Sequence, residues 1–99
     1  MAREGTFEVE GRTFRFRKPH IGTVRAFDEF LHSDEKSRLA DYYAATLAVV
    51  LDAVRRVEPT VTEAELDALL DEDSLTDFMR AIQRLSGTGD GATGEAARP

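Results

Sequence analysis

Thr6-Phe7-Glu8-Val9-Glu10-Gly11-Arg12-Thr13-Phe14-Arg15-Phe16-Arg17-Lys18 alternates apolar and polar side chains with period two. Gly11 and Arg12 separate two such runs, which signals a β-hairpin, and glycine at the first loop position suits a type II′ turn. That loop pairs Glu10 with Thr13, Val9 with Phe14, Glu8 with Arg15 and Phe7 with Phe16. All the apolar residues then share one face, and Glu8 meets Arg15 on the other; a one-residue slip would scatter them. A lone hairpin is marginal in water. The Phe7, Val9, Phe14 and Phe16 face must therefore cover something, and the rest of the chain reads as helix.

Pro19 ends the second strand. Thr23 is placed to cap a short helix over residues 24–32, with Val24, Phe27 and Leu31 as its apolar stripe and Phe30 widening it. His32-Ser33-Asp34 reads as a break, with Ser33 or Asp34 capping the next helix. That helix, residues 35–57, has no internal glycine or proline. At about 100° per residue, Leu39, Tyr43, Thr46, Leu47, Val50, Val54 and Val57 share one side. Tyr42, Val49 and Ala53 extend the arc one way, and Ala40, Ala44 and Leu51 the other. The arc is roughly 200° wide, whereas a helix packed on one side needs about 100°. Such a helix is either surrounded by the other elements or shared with a second chain. Glu58-Pro59 stops it. Thr62-Glu63-Ala64-Glu65 is a capping box that opens a short helix burying Leu66, Leu69 and Leu70. Asp73 or Ser74 is placed to cap a last helix with Leu75, Phe78, Met79, Ile82 and Leu85 inward, and Gly87 to terminate it. The expected architecture is α+β: an N-terminal β-hairpin, then about four helices, the second long and central. Residues 1–85 form one domain; residues 86–99, rich in glycine and without a large apolar side chain, read as a disordered tail.

The chain has 99 residues, no cysteine and a net charge of −6. A domain this small buries only about 60–65% of its extended surface, leaving little for a deep catalytic cleft. The missing cysteines exclude disulfides, thiolate metal sites and a cysteine nucleophile. No apolar run is long enough to span a membrane, and the N-terminus lacks the apolar stretch of a signal peptide. The expectation is a small soluble cytoplasmic protein, non-enzymatic and without a cofactor. The charge is uneven: residues 1–25 carry +3, whereas residues 26–85 carry −8.

Arg12, Arg15, Arg17 and Lys18 interleave with Phe14 and Phe16, a pattern found in single-strand nucleic-acid binders. The hairpin register puts the phenylalanines opposite Arg15 and Arg17, so core packing with cross-strand charge pairing accounts for it better. Asp71, Asp73 and Asp77 have calcium-loop spacing, but Thr76 stands where the loop needs glycine and Ile82 where it needs glutamate. His20 and His32 have no second ligand at helical spacing. What remains is an apolar surplus at the stripe margins. Phe27, Phe30, Tyr42 and Val49 are the candidate partner-binding residues.

The order of features in residues 6–85 resembles the small tail assembly chaperones of long-tailed bacteriophages and of related contractile injection systems. The resembling stretches are Phe7–Pro19, Thr23–Leu31 and Val61–Leu70, with the long helix between them. The resemblance implies a non-catalytic chaperone that binds the apolar, helical tape measure protein and keeps it soluble. It also implies that the chaperone helps recruit tail tube protein subunits, acts in the host cytoplasm and is absent from the mature virion. A frameshifted longer form is common in that family. The wide apolar arc makes a homo-oligomer an expectation too. Two other readings stand beside it: a small nucleic-acid-binding regulator using the basic hairpin, and an antitoxin or immunity-type partner binder.

Overall fold

The structure, a computed structural model, describes residues 3–34 and 38–85. The expected tail and Gly87 lie outside the described residues. Two antiparallel strands, β1 (Gly5–Val9) and β2 (Arg12–Phe16), are followed by four helices: α1 (Ile21–Leu31), α2 (Leu39–Arg55), α3 (Glu63–Leu69) and α4 (Glu72–Leu85). The architecture is the expected α+β arrangement, a hairpin and then four helices with the second the longest.

The hairpin forms with a different register. Val9 pairs with Arg12, Glu8 with Thr13, Phe7 with Phe14, Thr6 with Arg15 and Gly5 with Phe16. The loop is Glu10-Gly11, and both residues have positive φ, 49° and 82°. That is the type I′ signature, with glycine second rather than first. Each partner moves by two residues, so parity is kept and the apolar side chains still share one face. Glu8 faces Thr13, not Arg15. Arg15 instead reaches Glu4 at 2.8 Å.

The hairpin face closes on the helices. Phe78 of α4 stacks on Phe7 at 4.5 Å between ring centroids and meets Phe16 at 5.5 Å and Phe14 at 6.0 Å. Phe14, Phe16, Val50, Val54, Leu66 and Phe78 are the largest fully buried side chains. The outer edge of β2 is also tied down. The Arg17 amide donates to the Ala53 carbonyl at 3.1 Å, and the Arg15 amide donates to Glu58 Oε2 at 2.7 Å. Glu58 Oε1 accepts from Arg12 Nη2 at 3.1 Å. The carboxylate that the sequence marks only as the end of the long helix is thus a clamp on the hairpin.

Helix α2 is the hub; α1, α3, α4 and β2 all pack on it. Its buried residues are Thr46, Leu47, Val49, Val50, Ala53 and Val54. Its first turns are more open, and Leu39, expected on the inner side, is 63% exposed. The helix begins at Leu39 with Arg38 at the N-cap position, not at Ser33 or Asp34. The Ser33 hydroxyl and amide both donate to the Phe30 carbonyl and finish α1 instead. Residues 35–37, expected as the first turn of the long helix, lie outside the described residues.

The other caps divide. The Glu65 amide donates to Thr62 Oγ1 at 3.1 Å, as the capping box requires. The Glu65 carboxylate lies 3.5 Å from the Arg12 guanidinium. Helix α4 is capped by Asp71, not by Asp73 or Ser74. The Ser74 amide donates to Asp71 Oδ1 and the Asp71 amide to Ser74 Oγ, both at 2.8 Å. This is a reciprocal box with aspartate and serine in exchanged roles. Thr23 does not cap α1; that position belongs to His20.

Two carboxylates join distant elements and confer a pH dependence. The Arg15 amide, against some burial, and then Arg12 hold Glu58 below its ordinary 4.5. Burial alone would raise Asp52, but bonds from the His20 amide and ring and from Thr23 outweigh it and hold it below 3.8. Unfolded carboxyls bind protons more tightly than these native ones. The stabilisation is therefore complete above the ordinary values and is lost as the pH falls through the lowered native ones. The urea midpoint should drop between about pH 6 and pH 3, with a shallower drop in Glu58→Gln. Equal midpoints at the two pH values in the unaltered chain would contradict this assignment.

Candidate functional site

Helix α1 packs on α2 and is tied to it at its start. Pro19 and His20 turn the chain off β2. The His20 amide then donates to Asp52 Oδ2 at 2.6 Å, and His20 Nδ1 lies 2.8 Å from Asp52 Oδ1. This fixes the start of α1 against α2. No residue of α1 is buried. The apolar stripe of Val24, Phe27 and Leu31 faces a gap between α1 and α4.

That gap is a trough floored by α2. Its first half, of about 240 Å³, is lined by Pro19, Val24 and Phe27 on one wall, Val49 on the floor, and Met79, Ile82 and Gln83 on the other wall. Its second half, also about 240 Å³, runs from Phe27 and Leu31 across Tyr42, Tyr43 and Thr46 to Leu75, Met79 and Gln83. Phe27, Met79 and Gln83 line both halves, so the two adjoin. From Val24 to Leu31 the wall runs about 10 Å, two turns of helix.

Of the four residues the sequence singles out, three meet here. Phe27 forms a wall of both halves, Tyr42 lines one rim at 38% exposure, and Val49 forms the floor. Val49 is only 4% exposed, so it is a buried floor residue rather than a marginal one. It sits where α1 and α4 both lean over α2. Phe30 is half-buried and lines neither half of the trough. Sequence reasoning missed Val24 and Met79 as site residues, because both belong to stripes that read as ordinary core. Val24 is 45% exposed.

Among the described residues the lining holds no carboxylate, histidine or cysteine; its charged member is Arg80, which pairs with Asp77 at 3.5 Å. The Thr46 hydroxyl donates to the Tyr42 carbonyl and that of Thr76 to the Glu72 carbonyl, so both are spent on their own helices. Such a surface offers shape and apolar contact rather than bond-making. Among the described residues no group of three or more His, Cys, Asp or Glu is placed to hold a metal ion, and no helix is long and apolar enough to cross a membrane.

The basic residues of the hairpin are engaged elsewhere. Arg12 lies between Glu58 and Glu65 and over the Phe14 ring, 4.2 Å from its centroid. Arg15 and Arg17 share Glu4, whose carboxyl the Arg15 bond pulls below its ordinary value. No family model, curated protein or solved structure matches the chain.

Proposed function

We propose that this protein is a non-catalytic chaperone that seats an apolar helical segment of a client in the trough between α1 and α4. The observation that carries the reading is the trough itself. It is mostly apolar, with Arg80 and Gln83 on its α4 wall, extends along two turns, and is walled by a helix with no buried residue. Helix-in-groove recognition uses anchors at i, i+3 or i+4, and i+7, and two turns of wall match that spacing. The sequence resemblance supplies the client: the tape measure protein of a phage tail or related injection system. Recruitment of tail tube protein, action in the host cytoplasm and absence from the mature particle belong to the same proposal. The net charge of −6 supports it, since a chaperone coated with an apolar client needs charge to remain dispersed.

Co-expression with a fragment of the neighbouring tape measure protein tests the reading. The unaltered chain should raise the soluble yield of the fragment and co-purify with it. Val24→Asp with Tyr42→Asp puts two charges on exposed trough positions and spares the core. It should weaken client binding by at least about tenfold while leaving the thermal midpoint within a few degrees. An unchanged yield with the double variant would remove the trough from the function.

A further inference from the structure

Helices α2, α3 and α4 each bury at least one side chain, whereas α1, with 11 residues, buries none. Its apolar grip on the fold is Phe27, Phe30 and Leu31, all half-buried. Its polar grip is one carboxylate. Asp52 accepts from the His20 amide at 2.6 Å, meets the His20 ring at 2.8 Å and bonds the Thr23 side chain. The chain just before is anchored separately. The Arg17 amide donates to the Ala53 carbonyl, and Arg56 Nη1 donates to the Lys18 carbonyl at 2.9 Å. Pro19 is therefore a pivot between two anchors on α2. At the far end His32 Nδ1 lies 2.8 Å from the Asp28 carbonyl and the Ser33 hydroxyl donates to the Phe30 carbonyl, so both close on α1 itself. A segment with few buried apolar contacts opens locally, at a free energy below that of global unfolding. Isolated helices shorter than about 12–15 residues are marginal in water. Once α1 leaves α2 it melts, so undocking and melting are one event.

We propose that α1 is a strap: in the free protein it undocks from α2 and melts as a unit, pivoting at Pro19, and it redocks across an apolar helix seated in the trough. Asp52 is the latch that sets the balance. With the strap closed, Val49 is only 4% exposed; with it open, Val49 becomes uncovered floor beside α4. The occupant of the strap rests on the trough reading, whereas its opening is a property of the free chain.

The test is residue-resolved amide hydrogen exchange on the full chain. In the free protein Phe27–Leu31 should exchange at least about 100-fold faster than Leu47–Leu51. Asp52→Ala should speed Phe27–Leu31 by a further factor of about ten or more, the scale of lost bonds to a charged group. Glu58→Gln weakens the hairpin clamp, which stays closed when only α1 opens. It should speed Leu47–Leu51 about threefold or more and leave Phe27–Leu31 unchanged. Matching rates for the two segments, a joint rise in Glu58→Gln, or an unmoved α1 in Asp52→Ala would each overturn the proposal. The closing half is read with a leucine–alanine amphipathic helix of about 18 residues carrying a glutamine polar face, its binding followed by fluorescence anisotropy. At about ten times its Kd it should slow Phe27–Leu31 about tenfold. A bound probe that leaves those amides unprotected removes the strap while the trough stands. If the probe does not bind, the trough reading falls and the strap with it.

Discussion

Phe78→Ala is expected to cost about 3–5 kcal/mol, the range for removing a buried aromatic ring. The ring is fully buried and meets the rings of Phe7, Phe14 and Phe16 together. Its loss therefore opens a cavity and also separates the hairpin from α4. A two-stranded hairpin has little stability of its own, so the strands should melt with the contact. A domain of about 80 residues is stable by about 4–12 kcal/mol, so the variant sits near its unfolding threshold. The chain has no tryptophan, so urea unfolding followed by far-UV circular dichroism is the suitable measurement. With a slope of about 1 kcal/mol per molar urea, the midpoint should fall by about 3 M or more. A fall under about 1 M would mean that the hairpin is held by other contacts. Phe78→Leu keeps most of the volume and should cost about 1.5 kcal/mol or less.

Gly5→Val sets two effects against each other. Strand propensity favours valine over glycine by up to about 1 kcal/mol. Sterics oppose it. A Cβ at position 5 would lie 2.6 Å from Phe16 Cζ and 2.9 Å from Cε1. Phe16 is only 1% exposed, and although it and Gly5 line a hollow of about 260 Å³, its ring can yield only by leaving its packing in the core. Overpacking of this kind costs about 1–3 kcal/mol, with the branched side chain at the upper end. The steric term should win, and the variant should lose about 2 kcal/mol net. Phe16→Leu shortens the obstructing ring, and in the Gly5→Ala background it should cost less than it does alone. That coupling is readable from a double-mutant cycle. A Gly5→Val chain more stable than the parent would show that propensity decides here.

These two positions also show what was legible in the sequence. The period-two pattern located both strands and their common face, because parity alone sets the face. It did not locate the turn. Gly11 serves equally as the first residue of one two-residue loop or the second of another, and the alternatives differ by a parity-preserving shift. Gly5 gave no signal at all, since its importance comes from a ring eleven residues away in the sequence. The trough was half legible. The surplus apolar residues of α1 and α2 pointed to an unfilled surface, and Phe27, Tyr42 and Val49 do meet there. The gap itself depends on the angle at which α1 leaves α2, which Asp52 sets through the His20 amide. No periodicity encodes that angle. The same holds for Glu58, which reads as a helix end and proves to reach across to Arg12 and Arg15.

The ties that hold the hairpin have a consequence for how the protein is made. Residues 5–17 find their partners at Ala53, Glu58 and Phe78. Translation runs at about 5–20 residues per second, so roughly 4–14 s separate the emergence of Phe7 from that of Phe78. During that interval α2 alone can cover part of the hairpin's apolar face, and Phe7 lacks the ring it stacks on. The first segment made is the last to be secured, and premature release of the chain before α4 would leave an adhesive strand pair exposed.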